Sequence, residues 1–326
     1  MIKNNDGKIW AFLLHVSFNM WEDCLNPEYP YRRYEPFLRV DELLWNDAID
    51  ALVKAGANML VLDLGDGIQY KRHPEIAVKG AWTVDRLESE IKRLRSLGIE
   101  PIPKLDFSSS HDTWMGEWSH MVSTPEYYSF CRDMIDEVSD IFGHPRFFHI
   151  GMDEESVRYQ NAHQYVVQRL NGEWWDDFFH LKECVDSNGS RAWIWPDYML
   201  WNQYFVFNRP GQFFEKMPKD VVQSNWYYSE EFDPINQNIQ GYLDLDAHRF
   251  DQIPTGSFHR DNAANFGNTV DFCSKHISNE HLLGFMQTVW MPTTEDYRWR
   301  IMESISLLSK AREKHYKRCS NKKQSK

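Results

Sequence analysis

The sequence has few cysteines, and none of them is arranged for a cross-link or a metal centre. Its five cysteines, Cys24, Cys131, Cys184, Cys273 and Cys319, are scattered along the chain. A disulfide framework or a zinc site shows short, paired cysteine spacings instead. The sequence therefore predicts no disulfide framework and no structural metal. We also expect no cofactor, and an activity that a chelator leaves unchanged.

Long hydrophobic runs are missing as well. No apolar stretch approaches the roughly 20 residues that a membrane-spanning helix needs, and the N-terminus lacks the apolar core of a signal peptide. We therefore predict a soluble chain without a membrane span. Because removal of a signal peptide leaves the same kind of sequence, cytoplasmic, periplasmic and secreted locations all remain open.

Positively charged residues are also fewer than negatively charged ones. Lys and Arg number 36 against 48 Asp and Glu, so the formal net charge is -12. Such a chain has no general attraction to nucleic acid or to anionic membrane surfaces, because both are negatively charged themselves. The composition predicts no nucleic-acid partner and favours a neutral or cationic one.

Aromatic residues, in contrast, are abundant. They make up 15% of the chain and include 14 Trp. Sugar rings present apolar C–H faces that stack on indole and phenol rings, so a Trp-rich acidic chain favours a carbohydrate cleft. The alternative is that these rings are buried between helices and strands, as Trp often is. For any individual Trp the sequence leaves both interpretations open.

The chain alternates short apolar or β-branched runs with amphipathic segments of helical length, which predicts βα units and a parallel sheet. A length of 326 residues suits one α/β barrel. We predict an α/β fold, a single-domain (β/α)8 TIM barrel over residues 1–316, followed by a basic, disordered tail at 317–326. The eight predicted strands are Lys8–Phe18, Asn58–Leu64, Glu100–Phe107, Arg146–Gly151, Arg191–Trp195, Val221–Trp226, Gln252–Phe258 and Leu283–Val289. Predicted helices include Val40–Ala55, Val84–Leu97, Thr124–Phe142 and Asp296–Lys314.

Polar and aromatic residues follow most of these strands, and the active site of such a barrel lies at the carboxyl ends of its strands. Glycosidic cleavage needs a carboxylic acid for the leaving oxygen, a negative group for the oxocarbenium-like centre and flat apolar walls. The predicted catalytic carboxylates are Asp153 and Glu154, because a buried acidic pair is costly to keep without a role. Other predicted site residues at the strand ends are Asp106, His111, Asp197, Trp226, Tyr227, Tyr228 and Trp290.

Successive strand residues point to opposite faces, so Asp153 and Glu154 can share a pocket only where the strand ends or bulges. Gly151 makes such a departure easy. If the strand ends in another register, Glu155 takes the place of Glu154.

Local sequences then resemble a known family. The segment Phe147–Glu155, FFHIGMDEE, resembles the His-x-Gly-Gly-Asp-Glu signature of glycoside hydrolase family 20, the β-N-acetylhexosaminidases, with Met152 at the second glycine. The stretch His73–Phe107 is similar to that family's third barrel unit, including its GI-x-x-IP-x-x-D strand, and Leu283–Trp290 is similar to its last strand.

The resemblance implies a substrate-assisted retaining hydrolysis of β-linked N-acetylhexosamine in an oligosaccharide or glycoconjugate. Glu154 is then the general acid/base, and Asp153 supports the 2-acetamido group, whose carbonyl oxygen attacks the anomeric carbon. The resemblance also implies supporting roles: an amide hydrogen bond from Tyr227 or Tyr228, pocket walls from Trp193, Trp226 and Trp290, an orienting role for His149, and a polar network of Asp106 with His111.

Two positions depart from the family pattern. Phe18 stands where strand one carries an Arg that grips sugar hydroxyls, and Met291 follows Trp290 where a Glu is usual. These departures predict a divergent relative that acts on another sugar, linkage or cleavage position.

Two alternatives remain open. In the first, the chain is a retaining glycosidase in which Glu154 is the acid and a carboxylate such as Asp197 or Asp106 attacks the sugar. In the second, the chain is a sugar-binding barrel without catalysis.

Overall fold

The computed structural model describes residues 7–169, 172–200 and 210–324. Within these ranges, eight parallel strands form one sheet: β1 (Ile9–His15), β2 (Met59–Asp63), β3 (Glu100–Lys104), β4 (Phe147–His149), β5 (Arg191–Ile194), β6 (Val222–Gln223), β7 (Thr255–Ser257) and β8 (Gly284–Thr288). Their order in the sheet is β6-β5-β4-β3-β2-β1-β8-β7.

The first and last strands of this order also meet, which closes the sheet. The backbone N–H of Ile253 donates to Gln223 O at 3.0 Å, and the N–H of Thr255 donates to Asn225 O at 2.9 Å. These bonds join the segment of β6 to the segment of β7 in parallel. The prediction of a closed eight-stranded α/β barrel is therefore confirmed.

One helix follows each strand of the described chain. The helices are α1 (Glu42–Ala55), α2 (Val84–Ser96), α3 (Pro125–Phe142), α4 (Glu173–Ser187), α5 (Pro210–Lys216), α6 (Gln237–Ala247), α7 (Asn265–His276) and α8 (Arg298–Gln324). A further pair of two-residue strands, Ile68–Gln69 and Trp82–Thr83, lies between β2 and α2. No helix of the described residues is both long and apolar enough to cross a membrane.

Local sequence explains several helix ends. Helix α1 ends at Gly56, whose φ of 77° is in the left-handed region that glycine enters at little cost. Pro125 opens α3, and Thr124 Oγ1 accepts a hydrogen bond from the N–H of Tyr127 at 3.2 Å. Asp41 directly precedes α1, but its side chain makes no capping bond.

The last helix differs from the prediction. It continues to Gln324 instead of ending near Lys314, so the predicted disordered tail is helical as far as the described chain extends. Lys314 Nζ lies 2.6 Å from Asp271 of α7, and Arg318 pairs with the same carboxylate. The ring of Tyr316 is buried, and its hydroxyl accepts a hydrogen bond from Trp10 Nε1 at 3.0 Å. These contacts extend the helix along the barrel.

The barrel interior is tightly packed and rich in indole rings. All residues of β1, β2 and β8 are buried. Among the largest fully buried side chains are Trp10, Trp45, Trp114, Trp175, Trp193 and Trp195. Much of the aromatic excess therefore serves the core, which is the second of the two interpretations that the composition left open.

The contact between β1 and β8 gives a test of the packing. A Cβ at Gly284 would lie 2.1 Å from the carbonyl oxygen of Ile9. We expect Gly284→Ala to lower the free energy of unfolding by roughly 1–3 kcal/mol or more, because backbone atoms must move to accept the methyl group. Urea unfolding followed by circular dichroism measures the change.

Gly267→Ala is the matched control. Gly267 lies in α7, and no atom lies within 4 Å of the position that its Cβ would take. Alanine favours a helix over glycine by roughly 0.5–1 kcal/mol, so this variant should be as stable as the natural chain or more so. Equal stability of the two variants would contradict the described packing of β1 against β8.

Candidate active site

A cavity of about 670 Å³ lies at the carboxyl ends of the strands. Its wall includes residues from the segments that follow every strand except β2. Predicted site residues in this wall are His111, Asp153, Glu154, Asp197, Trp226, Tyr227, Tyr228 and Trp290. The fold therefore brings together predicted site residues that are as far apart in the chain as His111 and Trp290.

The backbone leaves β4 abruptly, and this places both acidic residues of the pair in the cavity. Gly151, Met152 and Glu154 have φ values of 74°, 77° and 51°. Such left-handed conformations cost a residue with a side chain roughly 1–2 kcal/mol and cluster at functional sites. The expected departure of the strand at Gly151 is what the structure shows.

Gly151 also has no room for a side chain. A Cβ at this position would lie 1.9 Å from Asp106 Oδ1. The Asp106 carboxylate thus packs directly under the turn that carries the acidic pair, and only glycine allows this close approach.

His111 connects the two carboxylates of the pair. Its Nδ1 lies 3.3 Å from Asp153 Oδ1, and its Nε2 lies 3.4 Å from Glu154 Oε2. Burial alone would lower the pKa of His111, but Asp153, Glu154 and Asp106 outweigh that effect and raise the pKa well above its ordinary value. His111 is therefore a cation at neutral pH, held between two acidic groups.

Asp153 lies deeper in the cavity than Glu154, whose side chain is more exposed. Burial and the nearby Asp106 raise the pKa of Asp153 to about 6, while the His111 cation opposes this rise. Asp153 is therefore mostly ionised above about pH 6. The hydroxyl of Ser108 donates to the backbone oxygen of Asp153 and helps to fix the turn.

Asp197 is a third carboxyl group in the wall. It accepts a hydrogen bond from Trp226 Nε1 at 2.7 Å. Burial, together with Asp153 and Glu154, raises the pKa of Asp197 well above its ordinary value. Its surroundings therefore favour the neutral form of the Asp197 carboxyl group over the ionised form.

Aromatic rings form the remaining wall. The ring centroid of Trp290 lies 5.7 Å from the ring centroid of Trp21 and 5.9 Å from that of Trp195, and both contacts are edge-on. Trp226 stacks on Tyr228 at 4.9 Å, and Trp290 Nε1 donates to the Tyr228 hydroxyl at 3.0 Å. Flat apolar faces of this kind suit the C–H faces of a sugar ring.

Three predicted site residues do not border the cavity, and all three are buried beneath it: Asp106, His149 and Trp193. Trp193 Nε1 donates to Ser224 Oγ at 2.6 Å, and His149 Nδ1 accepts from the N–H of Gly151 at 3.1 Å. Residues two apart point to the same side of a strand, so Trp195 lies one layer nearer the rim and lines the cavity instead of Trp193.

Glu155 does not take the place of Glu154. It is buried outside the cavity wall and forms an ion pair with Arg169. Burial raises the pKa of Glu155 to about 7, and the charge of Arg169 opposes this rise. Arg169 also lies 2.6 Å from Asp177 of α4. Glu155 thus anchors the turn to the helix layer, while Glu154 faces the cavity.

A buried lysine lies below the site, and the sequence patterns used above do not predict it. Lys104 Nζ lies 2.8 Å from Asp63 Oδ2 and 3.0 Å from Asp106 Oδ2. Burial alone would lower the pKa of Lys104, but Asp106 and Asp63 outweigh it and raise the pKa. The alternation of Lys104 and Asp106 at the end of an apolar strand is the sequence signal that indicates inward-pointing charges.

Three groups of the site have a donor set that suits a metal ion. Asp106, His111 and Asp153 offer ligand atoms within 4.8 Å of one another. Two of these groups already have a cationic partner, because Lys104 pairs with Asp106 and protonated His111 pairs with Asp153. Activity that survives a chelator stays a prediction.

The segment between β1 and α1 supplies a wall that the sequence did not reveal. Its wall residues are Trp21, Glu22, Asn26, Glu28, Tyr29 and Arg32. The only signal is a cluster of aromatic and charged residues directly after an apolar strand, in the stretch WEDCLNPEYPYRRY.

No protein-family model and no curated protein matches the sequence. Solved structures of glycoside hydrolase family 20 do resemble this one. A Vibrio harveyi exo-β-N-acetylglucosaminidase in complex with N-acetylglucosamine has a TM-score of 0.58 at 13% identity, covering 95% of this chain and 57% of that chain. A mutant Streptomyces plicatus β-hexosaminidase in complex with its product GlcNAc has a TM-score of 0.62 at 12% identity, covering 93% and 64%. A Flavobacterium johnsoniae chitobiase has a TM-score of 0.58 at 17% identity, covering 88% and 47%.

These similarities concern the fold. The chain spans 47% to 64% of the length of these three proteins. At identities of 12% to 17%, the likeness shows a shared barrel architecture. The family resemblance that the motifs around β3 and β4 suggest is thus confirmed at the level of the fold.

The charge of His111 gives a test of the site geometry. We expect this imidazole to stay protonated through the pH range in which an ordinary His titrates, near 6.5. Asp153→Asn removes an acidic partner, so it should lower the pKa of His111 toward that ordinary value. Histidine NMR across pH 5–9, with the signal assigned by its loss in His111→Gln, measures both values.

Asp23→Asn is the control for this titration. Asp23 lies on the segment after β1, outside the cavity wall, and its carboxylate accepts from the N–H of Gln164 at 2.9 Å. This variant should leave the pKa of His111 unchanged. An ordinary pKa for His111 in the natural chain would refute the bridging geometry.

Proposed function

We propose that the chain is a glycoside hydrolase that cleaves β-linked N-acetylhexosamine by a substrate-assisted retaining mechanism. The observation that carries this proposal is the pair of adjacent carboxylates, Asp153 and Glu154, joined by His111 at 3.3 and 3.4 Å in an aromatic cavity. The shared fold supports it, since solved enzymes of that fold are complexed with N-acetylglucosamine.

Glu154 is the proposed general acid/base. It lies at the wall of the cavity and is the more exposed group of the pair. In the first step its carboxyl group gives a proton to the glycosidic oxygen as the bond to the anomeric carbon breaks. In the second step its carboxylate removes a proton from the attacking water.

Asp153 is the proposed partner of the substrate's 2-acetamido group. Its carboxylate accepts the amide N–H, which turns the amide carbonyl oxygen toward the anomeric carbon. As that oxygen attacks, positive charge develops on the amide, and the ionised Asp153 stabilises it. The His111 cation holds Asp153 in place and favours its ionised form.

The structure favours this mechanism over attack by a carboxylate of the protein. Asp106 is buried beneath Gly151 and does not border the cavity, so it has no access to a sugar. Asp197 does border the cavity, but Trp226 Nε1 donates to one of its oxygens at 2.7 Å. Burial, with Asp153 and Glu154, also raises the pKa of Asp197, which disfavours the ionised form that a nucleophile needs. Both observations favour the substrate's own amide oxygen as the nucleophile.

The two acidic residues should give different defects when replaced. Glu154→Gln keeps the shape but cannot donate a proton, so turnover should fall by roughly 10²–10⁴-fold with poor leaving groups and by less with activated phenols. Asp153→Asn should slow both kinds of substrate, because formation of the cyclic oxazoline intermediate is impaired. Steady-state kinetics on alkyl and nitrophenyl N-acetyl-β-glucosaminides separates the two patterns.

A cyclic thiazoline that imitates the intermediate gives an independent readout. It should bind the natural chain tightly and the Asp153→Asn variant poorly. Glu28→Gln is the matched control, because Glu28 is an exposed carboxylate of the same cavity wall with no role in the proposed steps. Unchanged rates in Asp153→Asn, or a covalent glycosyl bond to Asp197, would contradict the mechanism. Sugar binding without any turnover would favour the non-catalytic barrel.

A further inference from the structure

The wall formed by the segment after β1 contains polar groups that the proposed reaction does not use. Two of them, Glu22 and Arg32, carry opposite charges and both border the cavity. Trp21 belongs to the same wall, and its ring is 4.7 Å from the ring of His111 and 5.7 Å from that of Trp290. This wall therefore faces the same bound group as the carboxylate pair.

Glu22 has one oxygen with a partner and one without. Its side chain is only 6% exposed. Oε1 accepts a hydrogen bond from Asn26 Nδ2 at 2.9 Å, whereas Oε2 is buried and has no hydrogen-bond partner among the described residues. A buried acceptor without a partner costs free energy, so such atoms are rare unless something else bonds them.

Arg32 shows the complementary pattern. Its guanidinium carbon lies 4.5 Å from the ring centre of Trp21 and 4.3 Å from that of Tyr29. These cation–π contacts hold the guanidinium against two rings without using its N–H groups, which remain hydrogen-bond donors. No ion pair joins Arg32 to a carboxylate in the described part of the chain, although the charge of Arg32 acts on Glu22.

A second unsatisfied donor lies in the same wall. The indole N–H of Trp21 is buried and has no hydrogen-bond partner within the described ranges. The wall thus offers one free acceptor, on Glu22, and donors on Trp21 and Arg32. The positive charge of Arg32 and the negative charge of Glu22 largely cancel. This wall therefore favours a neutral polar group of a ligand over an acidic group or an amine.

We propose that Glu22 and Arg32 form a hydroxyl-recognition subsite that selects the sugar bound against Trp21. A hydroxyl group is both donor and acceptor, so one sugar hydroxyl can donate to Glu22 Oε2 and accept from Arg32 at the same time. Asn26 holds the carboxylate of Glu22 in position for this bond. The subsite rests on the proposed function, because that function places an N-acetylhexosamine in the cavity.

Deoxy sugars test the subsite directly. The substrates are 4-nitrophenyl N-acetyl-β-glucosaminide and its 3-deoxy, 4-deoxy and 6-deoxy analogues. With the natural chain, one analogue should lose at least about tenfold in kcat/KM, because a site built to bond a hydroxyl rejects the analogue that lacks it. Glu22→Gln and Arg32→Met should slow the parent sugar by a similar factor, yet barely change the rate with that analogue.

Arg33→Met is the matched control, since Arg33 is the neighbouring arginine and lies outside the cavity wall. It should change none of the rates. If Glu22→Gln and Arg32→Met slow every substrate equally, their role is structural and the subsite is refuted. The same conclusion follows if no deoxy analogue is slower than the parent with the natural chain.

Binding measurements test the subsite even if no glycoside is hydrolysed and the proposed function fails. Calorimetric titration of the natural chain and the three variants with N-acetylglucosamine and its deoxy analogues then makes the same comparison by binding. Weaker binding of one analogue, with the difference abolished by Arg32→Met, supports the subsite. Equal affinities, or no binding of any of these sugars, overturn it.

Discussion

The whole site depends on a close contact between the Asp106 carboxylate and the backbone at Gly151. A Cβ there would lie 1.9 Å from Asp106 Oδ1, and the φ of Gly151 is 74°. Adjacent residues of a regular strand point to opposite faces. Because the backbone leaves β4 at this glycine, Asp153 and Glu154 can face one cavity, and the chemistry of the site follows from that local geometry.

Charges of alternating sign extend from the barrel interior to the cavity. Lys104 lies 3.0 Å from Asp106, and His111 lies 3.3 Å from Asp153 and 3.4 Å from Glu154. An unpaired buried charge costs several kcal/mol, so these pairings are what allow so many ionisable groups under one cavity. Asp153 and Glu154 share one cationic neighbour, His111, which holds both side chains at the same part of the cavity wall.

The sequence predicts the barrel well, because alternation of apolar runs and amphipathic segments depends only on local composition. It also predicts which strand ends carry acidic and aromatic groups. It cannot predict depth within the barrel: Trp193 and Trp195 point to the same side of β5, and only the packed structure shows that Trp195 reaches the cavity. The wall with Glu22 and Arg32 comes from a segment without helix or strand periodicity, so no pattern in the sequence places it.

In the proposed mechanism the substrate's own acetamido group is the nucleophile, so that group is necessary for catalysis. The most direct measurement compares the hydrolysis of 4-nitrophenyl N-acetyl-β-glucosaminide with that of 4-nitrophenyl β-glucoside, two substrates that share leaving group and ring. The first substrate should be turned over, whereas the second, which lacks the nucleophile, should be hydrolysed at a rate near the uncatalysed one. Comparable kcat values for the two substrates would contradict this mechanism, because the attacking group would then have to come from the protein.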